Sequence, residues 1–201
     1  MASITTLRIV QLIDSLEPGG AERMAVNYAN SLATVIPFSA LITTRKEGAL
    51  KKQLSPKVSY LFLNKKGKLG MKAVLKLKHF IKQNNINIIH AHSSSFFIAF
   101  LVKFFYSKLK LVCHDHYGNS EFLQERSTII LRLASYLFEG IISVNLKLKN
   151  WAVECLKFRN VIYLPNFVFF TDDNKSLKLT FLLGKDGMRI VCLANKKKKK
   201  N

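Results

Sequence analysis

Four of the five histidines stand in two pairs, His90 and His92 in IIHAHSSS and His114 and His116 in LVCHDHYGN. A neutral imidazole can hydrogen-bond a sugar hydroxyl, and an imidazolium can pair with a phosphate. Asp115, inside the second pair, is close enough to orient a histidine or to bind a hydroxyl itself. Two HxH pairs also invite a metal ion. No carboxylate or cysteine cluster nearby completes a ligand set, so no metal is expected. A second constellation is Glu17-Pro18-Gly19-Gly20-Ala21-Glu22-Arg23. Glycines that follow a strand let the backbone approach a phosphate or a sugar. The helix after them offers unpaired N–H groups and the positive end of its dipole. The stretch is neither GxGxxG nor a Walker-type phosphate loop, which disfavours NAD and ATP. A tight turn without any ligand has the same composition, and a single histidine can equally be a core residue.

These residues need elements to place them. Residues 7–13 (LRIVQLI) read as a buried strand, ended by Pro18, Gly19 and Gly20. Met24, Ala25, Tyr28, Ala29, Leu32 and Ala33 recur at helical spacing. Residues 38–43, 58–63, 86–90, 109–114, 140–144 and 161–164 read as strands. Residues 69–83, 127–138 and 146–156 read as helices, and another is capped by Ser93, Ser94 or Ser95 and runs to about residue 107. Alternating short apolar strands and helices predict an α/β fold, a Rossmann-like parallel sheet with helices on both faces. Neighbouring parallel strands would bring both histidine pairs to one rim of that sheet, where open α/β sheets bind ligands.

The chain has 201 residues, 49% of them hydrophobic, which is enough for a core. The formal net charge is +20, with five of the charges in the run from Lys196 to Lys200. No acidic residue falls between Glu47 and Asp115, where thirteen lysines do, so one region carries the positive field. Lys65, Lys68, Lys72, Lys76 and His79 recur at spacings of three or four. Met71, Val74, Leu75 and Ile81 fill another face, a pattern suited to a helix lying on an anionic membrane. An ordinary surface helix has the same pattern. A basic nucleic-acid-binding module is the competing class. The aromatics, however, sit in apolar runs rather than between basic residues, and no nucleic-acid-binding motif is present. Cys113, Cys155 and Cys192 form no CxxC pair. Without a signal sequence or a spanning apolar run, the expected location is cytoplasmic, peripheral at the inner face of the cell membrane.

The motifs together resemble family-four GT-B glycosyltransferases. LRIVQLIDSLEPGGAERMAVNYANSLA resembles the opening of that family, IIHAHS its fourth-strand ending, and LVCHDHYGNSEF the strand that ends in a functional histidine. VIYLPNFV resembles its domain crossover, and RIVCLAN the first strand of its donor domain. The resemblance implies the N-terminal half of a GT-B fold and anomer-retaining, metal-independent transfer without a bound cofactor. The donor would be a UDP- or GDP-linked sugar and the acceptor a saccharide or a lipid-linked one, in cell-surface polysaccharide or glycolipid synthesis. It implies His114 as the catalytic residue on the transferred sugar. Gly19, Gly20, His92, Asp115, His116 and Asn166 are expected around substrate and donor, and no nucleic acid is expected. Phe167 stands where that family usually has glycine. The expected organisation is residues 1–166 as the acceptor-binding domain, 167–187 as a linker, and 188–201 as the first strand of a missing donor domain plus a poly-lysine tail. Lysine and asparagine codons both begin AA, so slippage in an adenine tract is the expected origin of that ending, and the chain alone is expected to be inactive.

Overall fold

The computed structural model describes residues 6–67 and 69–167. The chain divides between Val168 and Phe169 into two units, and every described residue lies in the first. Cys192, the segment 168–187 and the strand expected over 188–194 lie outside the described residues, as does Lys68.

Twelve elements alternate along the chain: β1 Arg8–Ile13, α1 Gly20–Leu32, β2 Phe38–Thr43, β3 Ser59–Phe62, α2 Met71–Gln83, β4 Ile88–His92, α3 Phe96–Phe105, β5 Lys110–Asp115, α4 Ile129–Ser135, β6 Gly140–Ser143, α5 Leu146–Cys155 and β7 Val161–Tyr163. The seven strands among the described residues form one parallel sheet in the order β3-β2-β1-β4-β5-β6-β7. The sheet grows from β1 in one direction through β2 and β3, then in the other from β4 onwards. Right-handed crossovers therefore put α1 on one face and α2 to α5 on the other. The apolar clusters follow that division. Val10, Leu12, Ala91 and Cys113 point to a large core shared with Leu77, Ala99, Leu131 and Trp151 from α2 to α5. Ile13, Ala25, Ala29 and Leu41 form a smaller core under α1. Helices cover both faces as expected, one against four.

Three local readings change. β4 runs on to His92, because Ala91 pairs with Leu12 and His92 with His114. The serines after it form a 3-10 turn and give no side-chain cap to α3. Ser95 instead donates its hydroxyl to the carbonyls of Leu12 and His92, each at 2.7 Å, and so ties β4 to β1. The lysine face is shorter than its spacing suggested. α2 starts at Met71, behind Gly67 and Gly70 at φ +68° and +60°, a conformation glycine adopts without strain and one that ends any helical register. Lys65 therefore precedes the helix. Val74 and Ile81 are core residues, while Met71, Leu75, Lys72 and Lys76 remain exposed. Lys76 donates to the carbonyl of Phe62 at 2.7 Å.

The loop after β1 is held from beside. Gly48 packs so closely on the backbone of Leu16 and Glu17 that no Cβ fits there. The amide of Leu50 donates to the Leu16 carbonyl at 3.1 Å. Loops β1–α1 and β2–β3 thus stand together at the carboxyl edge of the sheet.

Candidate functional site

Parallel strands put the ends of β1, β4 and β5 on one rim, so Gly19, Gly20, His92 and His114 share the carboxyl edge. Alternation along β4 and β5 sends His90, His92, His114 and His116 to the α1 face, with Gln11 of β1. The four imidazoles pack as a stack. His90 and His114 lie 5.1 Å apart at an interplanar angle of 6°, and His114 and His116 4.0 Å apart. Tyr28 of α1 sets its ring edge-on against His90 at 5.0 Å and His114 at 5.6 Å.

Hydrogen bonds fix the tautomers at one end of the stack. His92 donates from Nε2 to Oε1 of Gln11 at 2.8 Å. Its Nδ1 must then accept, from Nε2 of His116 at 3.1 Å. At the other end, among the described residues, Nε2 of His90, both ring nitrogens of His114 and the hydroxyl of Tyr28 have no hydrogen-bond partner. Burial drives all four imidazoles towards neutrality. It pushes His90 down to about 3 and His114 down to about 2, with repulsion from neighbouring histidines adding to both. It pushes His92 well below its usual value and His116 down to about 4. Of the two chemistries open to an imidazole, the neutral one therefore applies at neutral pH, in rings of which His90, His92 and His114 are buried.

One ring nitrogen from each of His90, His92 and His114 lies within 4.8 Å of the others, near the spacing of a three-histidine metal centre. The rings of His90 and His114 are nearly parallel, while that of His92 is tilted by about 31–36° to both.

The glycine loop meets the end of the described chain. A Cβ on Gly20 would stand 3.7 Å from Nδ2 of Asn166. Asn27 of α1 donates to the carbonyl of Phe167 at 3.1 Å, and the Phe167 ring packs edge-on against Tyr28. Gly20, Asn166 and, through Tyr28, the histidine stack thus adjoin one another.

Asp115 does not join them. It alternates to the opposite face and accepts both guanidinium nitrogens of Arg126, at 2.6 and 3.0 Å, with the Tyr117 amide at 3.2 Å. Among the described residues it makes no hydrogen bond to a histidine, and its Oδ2, which accepts only from Arg126, keeps a lone pair. Arg126 lies over the rings of Tyr117 and Trp151, 4.4 and 4.3 Å from their centroids. The pair is almost wholly buried. Arg126→Met would leave a buried carboxylate without its partner and is expected to cost about 3–5 kcal/mol. The melting temperature should fall by roughly 6–20 °C, read by circular dichroism.

Beside this pair, on the α2–α4 side, a cleft of about 820 Å³ opens, lined by Asp14, Arg45, Lys65, Phe97, Arg126 and Ile130 among others. A smaller one of about 290 Å³ adjoins it at Asp115 and His116. Gly19, Gly20, His92, His114 and Asn166 line neither. Sequence reasoning passed over Asp14, Arg45 and Ser94. Asp14 accepts the hydroxyls of Thr44 and Ser94 and has Arg45 at 3.9 Å. Its signal was its place, the first residue beyond β1 and five before the double glycine.

The family model described as Glycosyltransferase Family 4 matches residues 18–169. Among solved structures, Anabaena Alr3699/HepE in complex with UDP and glucose is similar at a TM-score of 0.59 and 21% identity, over 80% of this chain and 44% of that one. The same protein in complex with UDP alone gives 0.58 and 20%, with the same coverage. A glycosyltransferase from Rickettsia africae ESF-5 gives 0.55 and 15%, over 79% and 43%. The chain thus spans less than half the length of these structures, and the likeness to them is one of fold. No curated protein sequence matches the chain.

Proposed function

The chain belongs to glycosyltransferase family 4, and from that premise we propose that residues 1–166 are the acceptor-side half of an enzyme transferring a sugar from a UDP- or GDP-linked donor. The acceptor is a saccharide or lipid-linked saccharide of a cell-surface polysaccharide or glycolipid. The observation that carries this reading is the union of the Gly20 loop, Asn166 and a neutral histidine stack at one edge of the sheet. Gly20 leaves room for a diphosphate at the start of α1, whose first amides favour anions. His114 is neutral and wholly buried in this unit, so one of its unpaired ring nitrogens would reach a hydroxyl of the transferred sugar only when neighbouring side chains move aside. Such a contact adds most where charge develops in the transition state. Retention of configuration and independence of metal come with the family reading.

The same reading places the protein at the inner face of the cell membrane. Lys72 and Lys76 stand exposed on α2 beside exposed Met71 and Leu75, a mixture that suits an anionic lipid surface. None of the helices among the described residues is long and apolar enough to cross a membrane.

Aligning two substrates supplies much of the acceleration of a bimolecular transfer, and in a GT-B enzyme two domains do it. The 201-residue chain alone should therefore transfer nothing. Residues 1–166 joined to a family-4 donor domain should label an acceptor from UDP- or GDP-sugars. Clear turnover by the chain alone would overturn the half-enzyme reading. A folded chimera that labels no acceptor from any of these donors would overturn the assignment of this unit.

A further inference from the structure

The larger cleft has largely apolar walls, with Asp14, Arg45 and Lys65 among its charged groups and Glu125 and Arg126 as the others. Leu69, before α2, and Ile130, on α4, both line it. They are 57% and 54% exposed, so the walls continue outwards onto the surface. Met71 and Leu75 extend that surface along α2, and Ile129 and Leu133 along α4, all of them exposed. Phe97 forms part of the inner wall.

At one charged corner Arg45 pairs with Asp14 at 3.9 Å, and Lys65 lines the cleft with them. Arg45 is the closer cation to Asp14. Among the described residues Lys65 has no ion-pair partner, and its amine lies 5.9 Å from the Phe97 ring centroid. Burial lowers the pKa of Lys65, and the neighbouring Arg45 cation lowers it further. Arg45 and Lys65 thus face one carboxylate at this corner, while Glu125 and Arg126, the latter paired with Asp115, line the cleft as well. Asp14, held by Thr44 and Ser94, is positioned to accept from an incoming hydroxyl.

We propose that this cleft binds the acceptor as an anionic amphiphile, a saccharide joined through a phosphate to a hydrocarbon chain. The chain lies along Leu69, Phe97 and Ile130, the phosphate pairs with Lys65 and Arg45, and Asp14 accepts from a sugar hydroxyl. This rests on the glycosyltransferase reading and selects the lipid-linked acceptor over the free saccharide. Exposed apolar side chains on both lips let a hydrocarbon pass from a membrane into the cleft without crossing water, since burial favours each methylene that leaves water.

The test uses the 201-residue chain and farnesyl phosphate below its micelle concentration, by equilibrium dialysis, with farnesol and inorganic phosphate as comparisons. Farnesyl phosphate should bind about ten-fold tighter than farnesol, as one charge-assisted phosphate contact requires. Inorganic phosphate should show no saturable binding at the same concentrations. Lys65→Gln should weaken farnesyl phosphate by about ten-fold. Leu69→Ser and Ile130→Ser should each weaken it by about five-fold. These two side chains are half exposed, so the fold tolerates the changes. Lys82→Gln, on the exposed side of α2, should change nothing. Equal binding of farnesol and farnesyl phosphate, or indifference to both Lys65→Gln and Leu69→Ser, overturns the proposal. Binding of inorganic phosphate alone would mean a simple anion site and overturns it too. No donor is present, so failure of the transferase reading would show separately, as absence of transfer to any acceptor.

Discussion

Between pH 7 and pH 5 the chain should lose much of its folding stability. His90, His92 and His114 are buried, and burial holds each far below an ordinary histidine, about 3 for His90, about 2 for His114, and well below the usual value for His92. In the unfolded chain each titrates near 6.5. The folded values are depressed, so the neutral form stabilises the fold. That contribution is complete above about pH 6.5 and is lost as the pH falls below it, because the unfolded chain then binds protons that the folded one refuses. Each ring costs about 1.4 kcal/mol per pH unit, so three cost roughly 4. By pH 5 the loss is about 6 kcal/mol, set against about 5–15 kcal/mol for a whole domain. Urea unfolding at several pH values measures it directly. Stability should be level above pH 7 and then fall with a slope of about three protons, steeper if His116 joins. A level profile down to pH 4.5 would mean that the rings protonate in place and that the stack is wet.

Replacing His114 with leucine should separate activity from folding. Both ring nitrogens of His114 are without a partner among the described residues, so the fold loses no hydrogen bond there. Leucine has a similar volume and fills the space between Tyr28 and the neighbouring imidazoles, where alanine would leave a cavity. The change in stability should be under about 1.5 kcal/mol. Transfer by the unit joined to a donor domain should fall by about 30- to 900-fold, the loss of one transition-state contact worth roughly 2–4 kcal/mol. The leucine variant should also shed about one proton from the pH slope described above. If it unfolds readily and keeps its specific activity, His114 is a core residue and the assignment fails.

Hydrophobic periodicity was enough to place the elements because the central strands β1, β2, β4 and β5 and the helices α1 and α2 each bury a run of apolar residues. Boundaries moved where pairing or glycine overrode it. β4 gained Ala91 and His92 from its neighbours' register, and the lysine face lost Lys65 to the positive-φ glycines before α2. The histidine rim was legible from strand ends, and its neutrality was not, because burial is a property of packing. Asp115 shows both sides. Its alternation away from His114 could have been read from the strand, whereas Arg126, eleven residues along, is joined to it only by the fold of the intervening loop. The cleft was invisible for a similar reason. Leu69 and Ile130 are far apart in the chain, and only the fold brings the segment before α2 and the start of α4 to one opening.

The strand order also sets a timetable for synthesis. β1 is made first yet lies in the interior of the sheet, with β2 on one side and β4 on the other. Its second edge waits until Ile9 can meet Ile88. At ribosomal rates of about 5–20 residues per second, that wait is roughly 4–16 s. Throughout it, a nascent chain of β1, α1, β2 and β3 presents an open apolar strand edge, the kind of template on which other chains pair. Ribosome-bound chains arrested before β4 should therefore need a holding chaperone, and those released beyond β5 should not. The later strands carry no such delay, since β5, β6 and β7 are each laid down beside a neighbour already in place.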